Sequence, residues 1–287
     1  MKTQNPINIL VTGAQGQLGR DVMAVLQRRG HHAVGTDIAD LDITSAQAVR
    51  DKLIGLRPDA VIHCAAYTAV DAAEDDESLC RKVNVDGTEN IARACGELGC
   101  KLIYISTDYV FGGGGTQPWK PEDPAGEPLN VYGRSKLDGE LAIQANTDRY
   151  CIVRISWAFG EHGRNFVSTM LRLGAQGKPL SVVNDQVGSP TYTADLAELL
   201  ADMAETDRYG VYHAANEGYC SWYEFAREIF ALAGMQVDLR PVTSDAYPVK
   251  ARRPRNSRLN TDKLVANGFQ KLPPWQDAVE RYLEAIQ

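Results

Sequence analysis

The sequence predicts an α/β fold, a doubly wound parallel sheet with a smaller C-terminal lobe. Three observations lead there. Short apolar runs alternate with helical patterns through the first half. A glycine-rich turn joins the first apolar run to the first helical pattern. Beyond residue 150 the composition changes, and Trp157, Trp222, Tyr223, Arg252, Arg253 and Arg255 mark a different kind of surface. Strands alternating with helices imply right-handed crossovers, and hence a parallel sheet covered on both faces.

The elements follow in order. Residues 7–11 read as a buried strand, 13–19 as the glycine-rich turn, and 20–29 as a helix with Val22, Val25 and Leu26 on one face and Gly30 as its stop. Residues 33–36 form a second strand ending at Asp37, and 45–56 a helix for which Thr44 is the expected cap. Strands at 60–64, 101–106, 151–155 and 210–214 come next, with one long helix over 79–98. Further helical patterns start at Ser221, Thr261 and Pro274. Residues 1–150 therefore read as the sheet domain, with a segment near 190–214 returning to it. Residues 151–287 read mainly as the second lobe, and no repeat or long linker separates the two.

Bulk properties narrow the function. The 287 residues are 44% apolar and 23% charged, ordinary for a globular chain. A net charge of −7 argues against nucleic acid or an anionic membrane as partner. No apolar run approaches the ~20 residues of a membrane span. The polar start, residues 1–9, carries no leader pattern, so a cytoplasmic location is expected. The six cysteines form no metal-type pairs. Cys64 and Cys151 read as small core residues, and a Cys95–Cys100 disulfide is not expected in a reducing compartment.

The turn Gly13-Ala14-Gln15-Gly16-Gln17-Leu18-Gly19 stands between a strand and a helix. Gly13, Gly16 and Gly19 let a pyrophosphate approach the backbone, while Gln15, Gln17 and Leu18 lie where free N–H groups and the positive helix end meet the phosphates. This context points to a Rossmann-type NAD(P)-binding domain over 1–150. Asp37 ends the second strand, where a carboxylate accepts from a ribose 2′-OH, and no arginine directly follows it for a 2′-phosphate. The residues themselves tilt toward NADH.

Tyr132 and Lys136 stand four residues apart, on one helical face. A carbonyl that gains a hydride at carbon needs a proton at oxygen. A phenol has an ordinary pKa near ~10, and a neighbouring ammonium is expected to lower it toward working pH. Lys136 also reaches the cofactor ribose in this reading. The 101–106 strand runs into Thr107 at the sheet edge where ligands sit in such folds, so Thr107 is expected to orient the substrate oxygen.

These motifs carry a resemblance. The G-x-x-G-x-x-G spacing resembles the extended short-chain dehydrogenase/reductases. Ser106-Thr107-Asp108-Tyr109-Val110-Phe111, the run from Ala65 to Glu74, the run from Asp185 to Tyr192, Asn165-Phe166-Val167 and Arg253-Pro254-Arg255-Asn256-Ser257 resemble the dTDP-4-dehydrorhamnose reductase family. The chain departs at Gly112, where that family usually has Asp. The resemblance implies hydride transfer from NADPH or NADH to C4 of a dTDP-linked 4-keto-6-deoxy sugar, with Tyr132 supplying the proton. It implies that Asp42 and Ile43 flank the adenine and that Ala65, Ala66 and Tyr67 lie by the nicotinamide ribose. Thr68, Val70, Thr107, Asp108, Tyr109, Trp157, Asn165 and Gln186 are its implied substrate contacts. Arg253 and Arg255 supply charge for the substrate pyrophosphate, and Trp157 a flat surface. The resemblance also raises Mg²⁺ at a homodimer contact, with Asp21, Asp195 and Glu280 as candidate ligands.

Neighbouring chemistries stay in view. Sugar 4,6-dehydratases follow the Thr with Asp-Glu, whereas Tyr109 follows Thr107-Asp108 here and cannot serve as that base. Another nucleotide-sugar reductase or epimerase of the superfamily remains an alternative. So does a non-catalytic NADP-binding regulatory subunit, which has no need of the Thr107, Tyr132 and Lys136 set.

Overall fold

A computed structural model of the chain describes residues 5–247 and 249–287; the first residues of the polar start and Pro248 lie outside the described residues. The central sheet has 6 parallel strands. Five of them are β1 (Asn8–Thr12), β2 (His32–Thr36), β3 (Ala60–His63), β4 (Lys101–Thr107) and β5 (Tyr150–Ile155). The strand Gly210–His213 pairs in parallel with β5 and closes that edge. From there the order runs β5-β4-β3-β1-β2, so it reverses between β1 and β3. In open α/β sheets a ligand crevice forms beyond the strand ends at such a reversal.

Side chains alternating across the pleat explain why the sheet is buried on both faces. Ile9 and Val11 of β1 face α1 (Gln17–Arg28), while Leu10 faces α2 (Ala46–Leu56). The short α3 (Val70–Ala73) and α4 (Glu77–Arg81) follow β3, then α5 (Thr88–Leu98) and α6 (Val131–Asn146). Ile91 and Cys95 of α5 and Ile143 of α6 join the Leu10 face. On the other face lie Val22 and Leu26 of α1 with Leu196 and Leu200 of α8 (Thr193–Ala204). A third core joins α7 (Phe166–Gly174), α9 (Trp222–Leu232) and α11 (Trp275–Ala285) through Met170, Phe225, Ile229 and Val279. The remaining short helix is α10 (Asp262–Ala266).

Several local expectations change. The first helix begins at Gln17, directly on the glycine turn, rather than at Arg20. Ser45, not Thr44, caps α2, accepting from the Ala48 N–H, because the Thr44 hydroxyl donates to Asp42 (2.8 Å). The long helix over 79–98 starts at Glu77 and passes through a π segment, Lys82–Gly87, before continuing as α5. Gly87 in that segment makes room for Ile43, whose Cδ1 would lie 2.8 Å from a Cβ there. All six cysteines are free thiols, and Cys64, half-buried, packs against the sheet core from the cleft wall. At the departure noted at Gly112, the neighbouring Gly113 (φ +68°) lies so close to Pro254 that a Cβ would stand 2.5 Å from the ring.

Candidate active site

A cleft of about 820 Å³ opens along the C-terminal edge of the sheet. Its first wall is the glycine turn. Gly13 has φ +66°, and a Cβ there would stand 2.7 Å from the Ala65 nitrogen. A Cβ on Gly19 would meet the Gly13 carbonyl oxygen at 2.1 Å. No side chain caps α1, which leaves its first-turn N–H groups for a ligand. Gly16, Gln17 and Leu18 line the cleft here, whereas the Gln15 side faces a second groove. Asp37 is held by the same turn, its carboxylate accepting from the Gln15 N–H (3.1 Å) and the Ile38 N–H (2.9 Å). Asp42 and Ile43 line the cleft beyond it. The Thr44 hydrogen bonds hold the Asp42 carboxyl below its ordinary range.

The opposite end holds the reactive side chains. Ala65, Ala66, Tyr67 and Thr68 line the cleft after β3. The π segment presents Asn84, which accepts from the Tyr67 N–H (2.8 Å), donates to the Tyr67 carbonyl (3.0 Å) and donates to Ser135 on α6 (2.9 Å). Such bulges recur at functional sites, yet nothing in the local sequence pattern marks this one. Asn130 caps α6 through the Gly133 N–H (2.8 Å) and donates to the Arg252 carbonyl (2.8 Å). Glu74 accepts from the Val131 N–H (2.8 Å). The first turn of α6, bearing Tyr132, is thereby fixed from three directions.

Thr107 ends β4 and lines the cleft with Asp108, Tyr109, Tyr132 and Lys136. The Thr107 hydroxyl donates to Asp108 (3.2 Å) and accepts from the Tyr109 N–H (3.2 Å). Tyr109 meets Tyr132 edge-on, with ring centroids 5.8 Å apart. Asp108 is only 2% exposed, and its Oδ2 has no partner among the described residues. Burial pushes its carboxyl up to about 7, against the pull of hydrogen bonds to Ser257 and Thr107.

The electrostatics of the Tyr–Lys pair differ from the sequence expectation. The Tyr132 phenol is raised above its ordinary value, first by burial and then by the Asp108 charge. Lys136 does not offset this, because its ammonium sits 4.0 Å over the Tyr104 ring and is itself buried. Burial pulls Lys136 down to about 7, and Glu140, one turn further along α6, is the first influence opposing that fall. Glu140 is buried with Arg154 of β5, which donates to it twice (2.9 and 2.7 Å), and Ser106 of β4 donates as well (2.5 Å).

Trp157 also lines the cleft, in the left-handed backbone region at φ 49°. Its ring stacks on Trp222 at 3.6 Å, and Gly188 leaves the space for it. Trp222 and Arg164 line the cleft too, and neither belongs to a recognised motif. Several expected contacts lie outside the cleft lining. Val70 starts α3, and Asn165 caps α7 while donating to Gln17 (3.1 Å). Gln186 donates to Ser244 (3.0 Å). Arg253 pairs with Asp71 (2.6 Å), and Arg255 faces Asp245 (3.5 Å) from an exposed position.

The candidate metal ligands do not assemble. Both Asp195 oxygens are taken by Arg281 (2.6 and 2.8 Å), Glu280 is exposed, and Asp21 faces His162 (3.9 Å). Among the described residues no group of three His, Cys, Asp or Glu side chains could hold a metal ion. A guanidinium already neutralises Asp195, and the geometry within one chain gives the Mg²⁺ expectation no support. No described helix is long and apolar enough to cross a membrane.

Comparison with known proteins agrees with this geometry. A family model described as the RmlD substrate binding domain matches residues 7–287. The chain is 42% identical to a dTDP-4-dehydrorhamnose reductase of Streptomyces griseus, over 96% of this chain and 93% of that one. It is 39% identical to the enzyme of that name from Escherichia coli K12, over 98% of both. A crystal structure of dTDP-4-dehydrorhamnose reductase from Bacillus anthracis in complex with NADP superposes with a TM-score of 0.94 at 41% identity, covering 98% of this chain and 99% of that one.

Proposed function

This chain belongs to the dTDP-4-dehydrorhamnose reductase family, and from that membership we propose that it reduces the C4 keto group of dTDP-4-dehydro-6-deoxy-L-mannose to dTDP-L-rhamnose, using NADPH or NADH. One observation carries the reading: Thr107, Tyr132 and Lys136 line the same cleft as an uncapped, glycine-opened helix N-terminus.

The residues fit a nicotinamide dinucleotide. Gly13, Gly16 and the first-turn N–H groups of α1 suit its pyrophosphate, Asp37 its adenosine ribose, and Lys136 the other ribose. When bound, that cofactor supplies the hydride. Tyr132 keeps its proton at neutral pH because burial disfavours the phenolate, so it is available as the acid for the substrate oxygen. Thr107 holds that oxygen toward the phenol, and Lys136, one helical turn from Tyr132, holds the ribose that sets the nicotinamide beside it. The Trp157–Trp222 stack gives the thymine or sugar a flat wall. Trp157, Thr68, Asp108 and Tyr109 are the substrate contacts this reading favours. A homodimer belongs to the same reading, and sedimentation at micromolar concentration checks it.

The test is oxidation of NADPH and of NADH with the dTDP-linked 4-keto sugar, on wild type and Tyr132→Phe. Turnover with wild type, lowered by orders of magnitude in the variant with cofactor affinity retained, is the expected result. Dinucleotide binding without turnover in wild type would instead favour the regulatory reading. More than about a tenth of wild-type turnover in the variant, a barrier change of only ~1.4 kcal/mol, would remove Tyr132 from the acid role.

A further inference from the structure

We propose that Arg164 is a ligand of the dinucleotide pyrophosphate, a role that rests on the cofactor reading above and adds to it the cation the glycine turn lacks. Two negative charges enter the cleft with that group, and backbone N–H groups alone face them from α1. Arg20, at the end of the first turn of α1, is not the missing cation. Its Nε donates to the Gln15 carbonyl (3.0 Å), and it lines the separate groove with Met23, Gln27 and His162. Among the described residues that line the main cleft, the Lys and Arg side chains are Lys136 and Arg164. Lys136 is buried beside Tyr132 at the reactive end.

The loop around Arg164 is built toward the glycine turn. Gly163 takes φ +80°, a turn that points the chain back. Asn165 then caps α7 in a reciprocal capping box. Its amide donates both to the Gly160 carbonyl (2.7 Å) and to the Gln17 side chain (3.1 Å), the first residue of α1. A Cβ on Gly160 would stand 3.2 Å from Gln17 Cγ, so the loop and the helix start are in close contact. Arg164 therefore stands one residue from a direct contact with the pyrophosphate-binding turn. Its guanidinium is exposed, with no carboxylate within 4.0 Å and no hydrogen-bond partner among the described residues. A planar fork of donors in that position matches a diphosphate.

The experiment titrates NADPH, NADH and dTDP separately into wild type, Arg164→Ala and Arg164→Lys. The alanine variant is expected to bind NADPH and NADH about tenfold more weakly, by the same factor for each, since both carry the pyrophosphate. The lysine variant falls between, keeping charge without the fork. The difference between wild type and the alanine variant shrinks as salt rises, and dTDP affinity stays unchanged. Unchanged dinucleotide affinity in Arg164→Ala overturns the proposal. A loss confined to NADPH overturns it in favour of the 2′-phosphate, and a loss confined to dTDP in favour of the substrate diphosphate. A wild type that binds neither dinucleotide overturns the cofactor reading itself, and this proposal with it.

Discussion

Replacing Asp108 by Asn is predicted to stabilise the protein at alkaline pH while leaving acid stability nearly unchanged. Burial raises this carboxyl from its ordinary 3.8 to about 7. The folded state thus binds its proton more tightly than the unfolded state does. Its contribution to stability is fully present below pH ~4 and is lost as pH rises through ~7. Each tenfold change in proton affinity is ~1.4 kcal/mol, so the loss amounts to about 4 kcal/mol at pH ~9. Lys136 acts in the opposite sense and in another window. Lowered from 10.5 to about 7, it favours the folded state increasingly as pH rises between those values. Both proteins carry Lys136, so subtracting wild type from the variant isolates Asp108. The assay is urea denaturation of wild type and Asp108→Asn at intervals from about pH 5 to pH 9. The stability difference should climb by roughly 3 kcal/mol in favour of Asn between pH ~5 and ~7 and level off above that. A difference that stays flat across that range would refute the claim that Asp108 is a buried, destabilised carboxylate.

Three further outcomes follow from the same geometry. Glu140→Gln removes the charge that opposes the fall of Lys136, while the groups facing Lys136 from other elements (His63 of β3, Cys64 just after it, Cys80 of α4, Tyr104 of β4) are unchanged. The alkaline limb of kcat/KM should move about one pH unit lower, and a limb that stays in place in Glu140→Gln/Arg154→Met, which leaves no unpaired guanidinium, would show that Glu140 acts through packing alone. Asp37→Ala should shift the kcat/KM ratio toward NADPH by removing repulsion of the 2′-phosphate; the wild-type ratio should lie within about two decades (~2.7 kcal/mol), and an identical ratio in the variant would place Asp37 away from the ribose. Gly188→Ala brings a methyl to 2.7 Å from Trp157 Cε2, so overpacking of ~1–3 kcal/mol should displace Trp157 from Trp222. Near-ultraviolet circular dichroism should lose the paired-indole signal and substrate KM should rise with cofactor affinity retained; an unaltered spectrum would mean that Ser257 or the backbone yields instead.

What was legible in the sequence is what short-range pattern determines. The continuous apolar run Ile9-Leu10-Val11 marks a strand buried on both faces, and it placed β1 to within a residue; the fold then sends its side chains alternately to two helical layers. Tyr132 and Lys136 meet in the cleft because four residues make about one helical turn. The parts that were not legible depend on pairings across long stretches of chain. Arg253 reads locally as free charge for a phosphate, but the fold pairs it with Asp71, 182 positions away. Arg154 reads as one polar residue inside an apolar strand, and only the fold sets it against Glu140 and Ser106. The π segment carries no compositional mark, because its extra residue per turn is imposed by what Asn84 and Gly87 must reach.

That division has a consequence for the chemistry. The locally encoded residues are the ones that touch the reacting atoms, and their protonation is set by residues that are not locally encoded. A phenol and an ammonium at helical spacing in water would behave as ordinary Tyr and Lys. Enclosed by β3, β4 and α4, the phenol holds its proton and the amine titrates near neutrality, so the pair is tuned by burial rather than by mutual attraction. Glu140 is then the main charge opposing the fall of Lys136, and Arg154 with Ser106 is what allows Glu140 to be buried there at all. Replacing Tyr132 removes the proton itself, whereas replacing Glu140 leaves every reacting atom in place and changes only the pH range over which Lys136 beside it stays charged.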